Sequence, residues 1–218
     1  MLITTYFIGG IASDERLFKH QITAIENAVY LPFPRPDKND TMETYVLKFI
    51  PMIDFTQPFN IVANSMGGIM TMELLKHITP QKVILISSIK NRKEMPFILK
   101  QLKYTHAHKL LPGRGFIGSI QFGSLFKKEI LKIPGMRQMA ISMAKNNEPS
   151  FLYWCVNAIV KWNGKPNYHN NIIHIHGTND EMFPYRRISN AIPVQGGTHV
   201  MMLTQHEVIT RLLIENLK

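Results

Sequence analysis

The feature of this chain that most constrains its fold is a repeated alternation of short apolar runs with segments of helical periodicity. Runs rich in β-branched and aromatic residues occupy positions 4–8, 28–32, 59–63, 82–87, 172–176 and 191–194. Turn residues close these runs, and the segments between them have the apolar spacing of helices. Because parallel strands need helical crossovers, the alternation predicts an α/β fold built on a largely parallel sheet of six strands.

Helix starts are predicted where a capping side chain precedes an acidic residue of the first turn. The pattern occurs at Ser13 with Asp14 and Glu15, at Asp40 with Glu43, and at Thr204 with Glu207. A further helix, over residues 66–77, is predicted to follow the third strand directly.

The alternation stops after the fourth predicted strand. Residues 89–167 contain helical segments and loops, which are interrupted by prolines such as Pro96, Pro134 and Pro149. We therefore predict a helical cap over residues 89–167, inserted into an α/β core that comprises residues 1–88 and 168–218.

The positive charge of the chain is concentrated in this insertion. The formal net charge is +10, and residues 90–165 hold 14 Lys and Arg residues against 3 acidic residues. The remainder has 11 basic and 12 acidic residues and is nearly neutral. A basic segment attracts anionic substrates or an anionic membrane surface, although many such segments are simply solvated.

The length and the cysteine content narrow the class of protein. A chain of 218 residues can bury a substantial core, and no apolar run reaches the roughly 18 residues that span a bilayer. The first residues lack the basic stretch and the cleavage motif of a signal peptide. The single Cys155 excludes an intramolecular disulfide. We expect a cytoplasmic protein without a transmembrane segment, and the sequence leaves its oligomeric state open.

A candidate nucleophile lies between the third predicted strand and the helix after it. The strand runs into Asn64-Ser65-Met66-Gly67-Gly68, and a helical pattern follows. A sharp strand-to-helix turn holds a serine in a strained conformation with its hydroxyl exposed, and small neighbours relieve the crowding. Ala63 occupies the position of the first glycine in the Gly-x-Ser-x-Gly pattern. The segment predicts that Ser65 is the nucleophile of a hydrolytic site.

A serine hydroxyl needs a base that takes its proton and a carboxylate that orients the base. His199 follows the last predicted strand, and Asp180 follows the fifth. Both lie at carboxyl ends of strands, where open α/β sheets place their active sites. We therefore assign His199 as the base and Asp180 as its partner. The adjacent Glu181 is predicted to point elsewhere, into solvent.

Other reactive side chains receive structural interpretations. His174 and His176 share one face of the fifth predicted strand, but no acidic or cysteine cluster completes a metal site, so packed histidines are predicted. His106 and His108 lie in the basic insertion and are predicted surface residues. Cys155 lies within the predicted cap, away from the histidines at strand ends. We predict neither a metal nor an organic cofactor.

Backbone amides are also needed, because attack by Ser65 on a carbonyl creates an oxyanion. Met66, at the start of the helix after Ser65, is predicted to supply one amide. The glycine-rich turn after the first strand is predicted to supply the second, with Ile11 preferred and Gly10 as the alternative. Neither a dinucleotide fingerprint nor a Walker-type phosphate loop is present in that turn.

With these residues in order, the chain resembles the α/β-hydrolase superfamily over nearly its whole length, in particular its small bacterial serine hydrolases. The resemblance is carried by Gly9-Gly10-Ile11, the turn around Ser65, and segments 176–184 and 196–199. It implies a three-layer α/β/α fold with the strand order 2-1-3-4-5-6 and a helical cap after strand 4. Gly9 replaces the histidine of a common His-Gly pair, which bears on the subfamily rather than on the chemistry.

Two kinds of function follow from these residues. The first is hydrolysis of a carboxylic ester or thioester of a small-molecule acyl substrate, through an acyl-enzyme on Ser65. The basic cap would then permit peripheral contact with a membrane. The second is a non-catalytic protein of the same fold that binds a hydrophobic or anionic ligand under the cap. No nucleic-acid-binding module is recognisable, so no specific nucleic-acid partner is predicted.

Overall fold

A single parallel sheet forms the centre of the computed structural model, which describes residues 3–105, 133–164 and 172–218. Within these residues the strands are β1 (Thr4–Ile8), β2 (Ala28–Leu31), β3 (Phe59–Asn64), β4 (Lys82–Ile86), β5 (Ile172–Gly177) and β6 (Ile192–Val194). They are ordered β2-β1-β3-β4-β5-β6, and every neighbouring pair is parallel. The predicted sheet and its order are confirmed, and each strand end lies within about one residue of its predicted position.

The described α-helices connect these strands or follow the last of them. They are α1 (Lys19–Ala24), α2 (Met42–Tyr45), α3 (Met66–Leu74), α4 (Phe97–Thr105), α5 (Met136–Lys145), α6 (Pro149–Lys161), α7 (Met201–Thr204) and α8 (His206–Leu217). Short 3-10 helices lie at Glu15–Phe18, Val46–Met52 and Tyr185–Arg187. Helix α3 begins directly after Ser65, as predicted, but it ends before residue 77.

Alternate residues of the strands pack into two hydrophobic cores. Ile8, Ile61 and Leu85 belong to one core, together with residues of α2, α3 and α6. Phe7 and Val62 belong to the other core, together with residues of α5, α7 and α8. Since successive side chains of a strand point to opposite faces, the sheet is covered on both sides. This is the predicted three-layer α/β/α arrangement, and it explains why the inner strands β3 and β4 are largely apolar.

The first predicted helix start is wrong by one residue. The hydroxyl of Ser13 donates a hydrogen bond of 2.8 Å to the carbonyl oxygen of Gly10, so it turns back toward the loop after β1. Asp14 caps the following 3-10 helix instead, because its carboxylate accepts the amide of Arg16 at 3.1 Å. The local competition between two adjacent polar side chains decides the boundary.

The other two predicted starts are also displaced. Thr41 caps α2 in a reciprocal capping box with Thr44, whereas the Asp40 carboxylate accepts hydrogen bonds from Thr44 and the Asp37 amide. Thr204 is the last residue of α7, so α8 begins only at His206. Polar residues near a helix start are easy to recognise in sequence, but the one that caps depends on the approach of the preceding loop.

The described residues between β4 and β5 form α4, α5 and α6 without any strand. Phe151, Leu152 and Trp162 are buried, and the indole nitrogen of Trp162 donates to the buried carboxylate of Glu73 on α3 at 2.7 Å. Burying a side chain of this size contributes about 1.5–3 kcal/mol. These contacts fix α6 against the core, while the division of residues 89–167 as a separate cap stays a prediction. No helix in the described ranges is long and apolar enough to cross a membrane.

Candidate active site

Ser65 occupies a strained turn between β3 and α3. Its φ is 51° and its ψ is −117°, a backbone conformation that non-glycine residues rarely adopt. The Ser65 amide donates to the carbonyl of Ile86 at 2.9 Å, and the Ser65 carbonyl accepts the amide of Gly68 at 3.0 Å. Such strain costs about 1–3 kcal/mol and persists only where surrounding contacts fix it. The turn therefore has the conformation that presents a serine hydroxyl at the end of a strand.

Gly67 allows the loop after β1 to lie directly against this turn. A Cβ atom at Gly67 would stand 2.4 Å from the carbonyl oxygen of Gly9 and 2.5 Å from that of Ile8. On the other side of the contact, a Cβ at Gly10 would stand 3.1 Å from the Cβ of Ser65. The missing side chains thus bring the glycine-rich loop beside Ser65.

The Gly10–Ile11 peptide has a defined orientation. Its carbonyl oxygen accepts the hydroxyl of Ser13, and the peptide is trans. In a trans peptide the amide points opposite to the carbonyl, so the Ile11 amide is directed away from Ser13. The Met66 amide lies in the first turn of α3, where amides have no intrahelical acceptor. The assignment of these amides to an oxyanion stays a prediction.

His199 contacts both of its predicted partners. Its Nε2 lies 2.9 Å from the Oγ of Ser65, and its Nδ1 lies 3.1 Å and 3.0 Å from the two carboxylate oxygens of Asp180. A carboxylate accepts, so Nδ1 carries the proton and Nε2 is left to accept the serine hydroxyl. The structure therefore brings together the three side chains that the sequence singled out, although 134 residues separate Ser65 from His199.

Asp180 is held as an ion in a buried position. Its side chain is fully buried, and one carboxylate oxygen accepts the amides of Met182 at 2.9 Å and Phe183 at 2.8 Å. Burial alone would raise the pKa of Asp180, but attraction to His199 and the hydrogen bonds from His199 and the Phe183 amide lower it overall. The carboxylate is thus ready to stabilise a positive charge on His199.

Among the described residues, none of the other reactive side chains hydrogen-bonds to Ser65 or His199. Glu181 is exposed. Cys155 is fully buried, and burial raises the pKa of its thiol well above the usual value, which disfavours a thiolate. His174 and His176 are buried, and no group of three or more metal-binding side chains occurs in the described part of the chain. The predictions for residues 106 and 108 lie outside the described residues.

Two supporting residues were not predicted. The hydroxyl of Ser88 donates to the carbonyl of Ser65 at 2.7 Å, which adds a further restraint on the strained turn. Glu94 is buried and accepts the amide of Lys90 at 2.8 Å and the hydroxyl of Ser189 at 2.7 Å. Ser88 could have been predicted, because it is a small polar residue that follows β4, the strand beside β3. No sequence signal marked Glu94, because its side-chain partner Ser189 lies 95 residues away in sequence.

Comparisons with known proteins agree with this architecture. MenH from S. aureus has a TM-score of 0.76 at 16% identity, and the match covers 100% of this chain and 94% of that one. The enol-lactonase from Burkholderia xenovorans LB400 has a TM-score of 0.74 at 13% identity, with 100% and 92% covered. An esterase from Exiguobacterium antarcticum has a TM-score of 0.72 at 16% identity, with 98% and 91% covered.

The two comparisons made by sequence found no match. No protein-family model matches the chain, and neither does any curated protein. The structural similarity therefore establishes the fold alone. The protein has the α/β-hydrolase fold.

Proposed function

We propose that this protein is a serine hydrolase that cleaves a carboxylic ester or thioester through an acyl-enzyme on Ser65. The observation that carries the proposal is the continuous contact from Ser65 Oγ to His199 Nε2, at 2.9 Å, and from His199 Nδ1 to the buried Asp180, at 3.0 Å. Neutral His199 can accept the hydroxyl proton at Nε2 while Asp180 stabilises the resulting imidazolium.

The first half of the reaction forms the acyl-enzyme. Ser65 Oγ bonds to the carbonyl carbon of the substrate while His199 takes the hydroxyl proton, and the carbonyl oxygen becomes an oxyanion. We assign the amides of Met66 and Ile11 to this oxyanion, with the Gly10 amide as the alternative. The bond to the leaving group then breaks, and His199 returns the proton to the departing alcohol or thiol.

The second half of the reaction releases the acid. His199 removes a proton from water, the water oxygen attacks the acyl carbon, and the same amides stabilise the second oxyanion. The bond to Ser65 Oγ breaks, and the proton returns to the serine. Both halves of the reaction use Nε2 of His199 to take up and return one proton. The protein, the substrate and water together supply every group that is transferred.

The similar structures support an ester as the substrate class. They include an esterase and an enol-lactonase, which share the fold of this chain over nearly its whole length. We propose a small-molecule acyl substrate on this ground. Fold similarity by itself does not select the acyl group.

Two measurements test the nucleophile. Wild type is expected to hydrolyse p-nitrophenyl esters of two to eight carbons and to be labelled by a fluorophosphonate at Ser65, whereas Ser65→Ala loses both. The control is Ser150→Ala, because Ser150 is exposed at the start of α6 and bonds only to Glu148 among the described residues. Full activity of Ser65→Ala would refute the proposal. A folded wild type that is neither active nor labelled would favour the ligand-binding alternative.

We also propose that α4 contacts an anionic membrane surface. Phe97 and Ile98 are 64% and 71% exposed, and α4 buries no side chain among the described residues. Lys93 lies exposed just before the helix, while Lys100 and Lys103 lie on it. Apolar side chains flanked by lysines bind anionic bilayers through burial and charge attraction together.

Vesicle sedimentation tests this contact. Wild type is expected to sediment with vesicles that contain phosphatidylglycerol and to stay in solution with phosphatidylcholine alone. Phe97→Ser combined with Ile98→Ser removes the apolar contribution and should release the protein. Equal binding of this double variant and wild type would show that α4 is not the contact. The control is Phe55→Ser, an exposed aromatic residue in the loop before β3.

A further inference from the structure

Asp180 lies next to a second imidazole besides that of His199. His176, on β5, has its Nε2 3.4 Å from a carboxylate oxygen of Asp180 and 2.7 Å from the carbonyl oxygen of Phe183. Its Nδ1 lies 3.3 Å from the Nε2 of His174. The His176 and His174 side chains are almost fully buried, at 0% and 1% exposure. The mechanism above uses neither of them.

The hydrogen bonds fix the tautomers of this pair. The carbonyl of Phe183 can only accept, so Nε2 of His176 carries a proton. Neutral His176 then has a bare Nδ1, which accepts the Nε2 proton of His174. The Nδ1 of His174 is left without a proton, which agrees with its lack of a hydrogen-bond partner among the described residues.

Phe183 connects His176 to the proposed catalytic side chains. Its carbonyl accepts from His176, its amide donates to Asp180 at 2.8 Å, and its ring packs edge-on against the ring of His199, with centroids 5.4 Å apart. A displacement of the Phe183 backbone would therefore move the support of Asp180 and the contact surface of His199 together.

We propose that His176 is a positioning residue that holds Asp180 and His199 in their relative positions through Phe183, and that His174 restrains the His176 ring by its contact with Nδ1. The inference rests on the proposed function, since it concerns the geometry of the same site. Supporting partners of this kind typically change activity by about 10- to 100-fold, because small displacements of reacting groups are costly.

The charge state of His176 supports this role. Burial lowers the pKa of His176, and the nearby charge of Asp180 opposes the effect only in part. His176 is therefore neutral near pH 7, and His199 is left as the imidazole that becomes charged beside Asp180. A cationic His176 would compete with His199 for the same carboxylate.

The decisive comparison is His176→Gln against His176→Asn. A glutamine amide reaches about as far as Nε2 and can donate to the Phe183 carbonyl, whereas the asparagine amide is too short, although the chemical group is identical. We expect kcat to fall about 10- to 100-fold in His176→Asn with little change in KM, and His176→Gln to recover most of it. The control His20→Gln, at the surface, should have no effect.

A second readout does not depend on turnover. The proton between His199 Nδ1 and Asp180 should give a low-field NMR resonance in wild type and His176→Gln, and this resonance should be broadened or lost in His176→Asn. Equal resonances and equal kcat in the two variants would overturn the positioning role. If wild type neither hydrolyses esters nor reacts with a fluorophosphonate, the proposed function fails, while the resonance still tests the support of Asp180.

Discussion

Two pairs of histidines lie in very different parts of this molecule. His174 and His176 are buried on β5, and each of their hydrogen bonds leads toward Asp180 and His199. His20 of α1 and His206 of α8 are stacked at the surface, with ring centroids 3.8 Å apart and planes 11° apart. In the described part of the chain, neither ring of the surface pair hydrogen-bonds to a carboxylate.

The comparison shows that a short distance between two imidazole rings does not by itself couple a histidine to the proposed catalytic residues. The surface rings are closer to each other than the buried rings, whose centroids are 5.1 Å apart. Among the described residues, only the buried pair has its tautomers fixed by an acceptor that cannot donate, and only there does a carboxylate oxygen lie as close as 3.4 Å to a ring nitrogen. Burial and directed acceptors distinguish the two regions, and this difference can be tested.

The largest difference is expected for replacement of the proposed base. His199→Ala should lower kcat/KM for an ester by about 10⁴- to 10⁶-fold, because no other side chain in the described part of the chain hydrogen-bonds to the Ser65 hydroxyl. His206→Ala should leave kcat/KM unchanged. Steady-state kinetics on both variants measure the effect, and comparable losses in the two would end the distinction between the regions.

Removal of the carboxylate charge should have the next largest effect. In Asp180→Asn an amide group would face Nδ1 of His199 and favour the tautomer that places the proton on Nε2. We expect a loss of about 10³- to 10⁴-fold in kcat with an intact fold. Glu207→Gln is the matched change beside the surface pair. A kcat within the error of wild type for Asp180→Asn would show that His199 does not need this partner.

Acid should destabilise the protein through the buried pair. Burial lowers the pKa of His174 well below its ordinary value of 6.5, and repulsion from His176, once acid charges that ring, and from Lys90 adds to the shift. The unfolded chain therefore binds more protons than the native one once the pH falls below 6.5. The stabilising contribution of neutral His174 is fully present above that pH. The free energy of unfolding decreases as the pH falls below it.

Thermal unfolding between pH 7.5 and pH 5 measures this dependence. Each 1 kcal/mol lost should lower the Tm by about 2–4 °C for a chain of this size. His176→Gln removes one of the two buried histidines that titrate, so it should flatten the curve, while the negative charge of Asp180 remains. A curve as steep as that of wild type would place the acid sensitivity elsewhere.

The surface pair should give the smallest effects. Replacing His20 with Gln removes a stacked contact at an exposed position, so the stability should change by about 0.5 kcal/mol or less. Burial lowers the pKa of His20, and His206 adds to the shift. The contribution of His20 to stability therefore also decreases in acid, but His20 is exposed, so the decrease should be smaller than for the buried pair. A Tm change larger than that of His176→Gln would reverse the ranking of the two regions.

Much of this architecture was predictable because it depends on local pattern. The central strands are buried on both faces, so they appear in the sequence as largely apolar runs, and Ser65, Asp180 and His199 each follow a strand. Helix starts were displaced because Ser13 and Asp40 found nearer partners than the helix amides. These competitions depend on loop geometry, which spacing alone does not reveal.

The supporting residues were harder to predict for a related reason. His176 was correctly expected to be packed, but its link to Asp180 passes through a backbone carbonyl, and a carbonyl has no residue type to recognise. Glu94 joins two loops that are 95 residues apart in sequence. Contacts of this kind become visible only when the tertiary structure is known.

The position of β6 has a consequence for how the site responds to heat. This edge strand has only three residues and pairs with β5 alone, and the loop that carries His199 follows it. Bonds such as that from the Asn179 amide to the Gly197 carbonyl, at 2.9 Å, tie the loop to the end of β5. Short edge segments open locally at lower free energy than a central strand such as β3. Amide hydrogen exchange should therefore be faster around β6 than in β3, and the proposed hydrolytic activity should disappear on warming before the sheet as a whole unfolds.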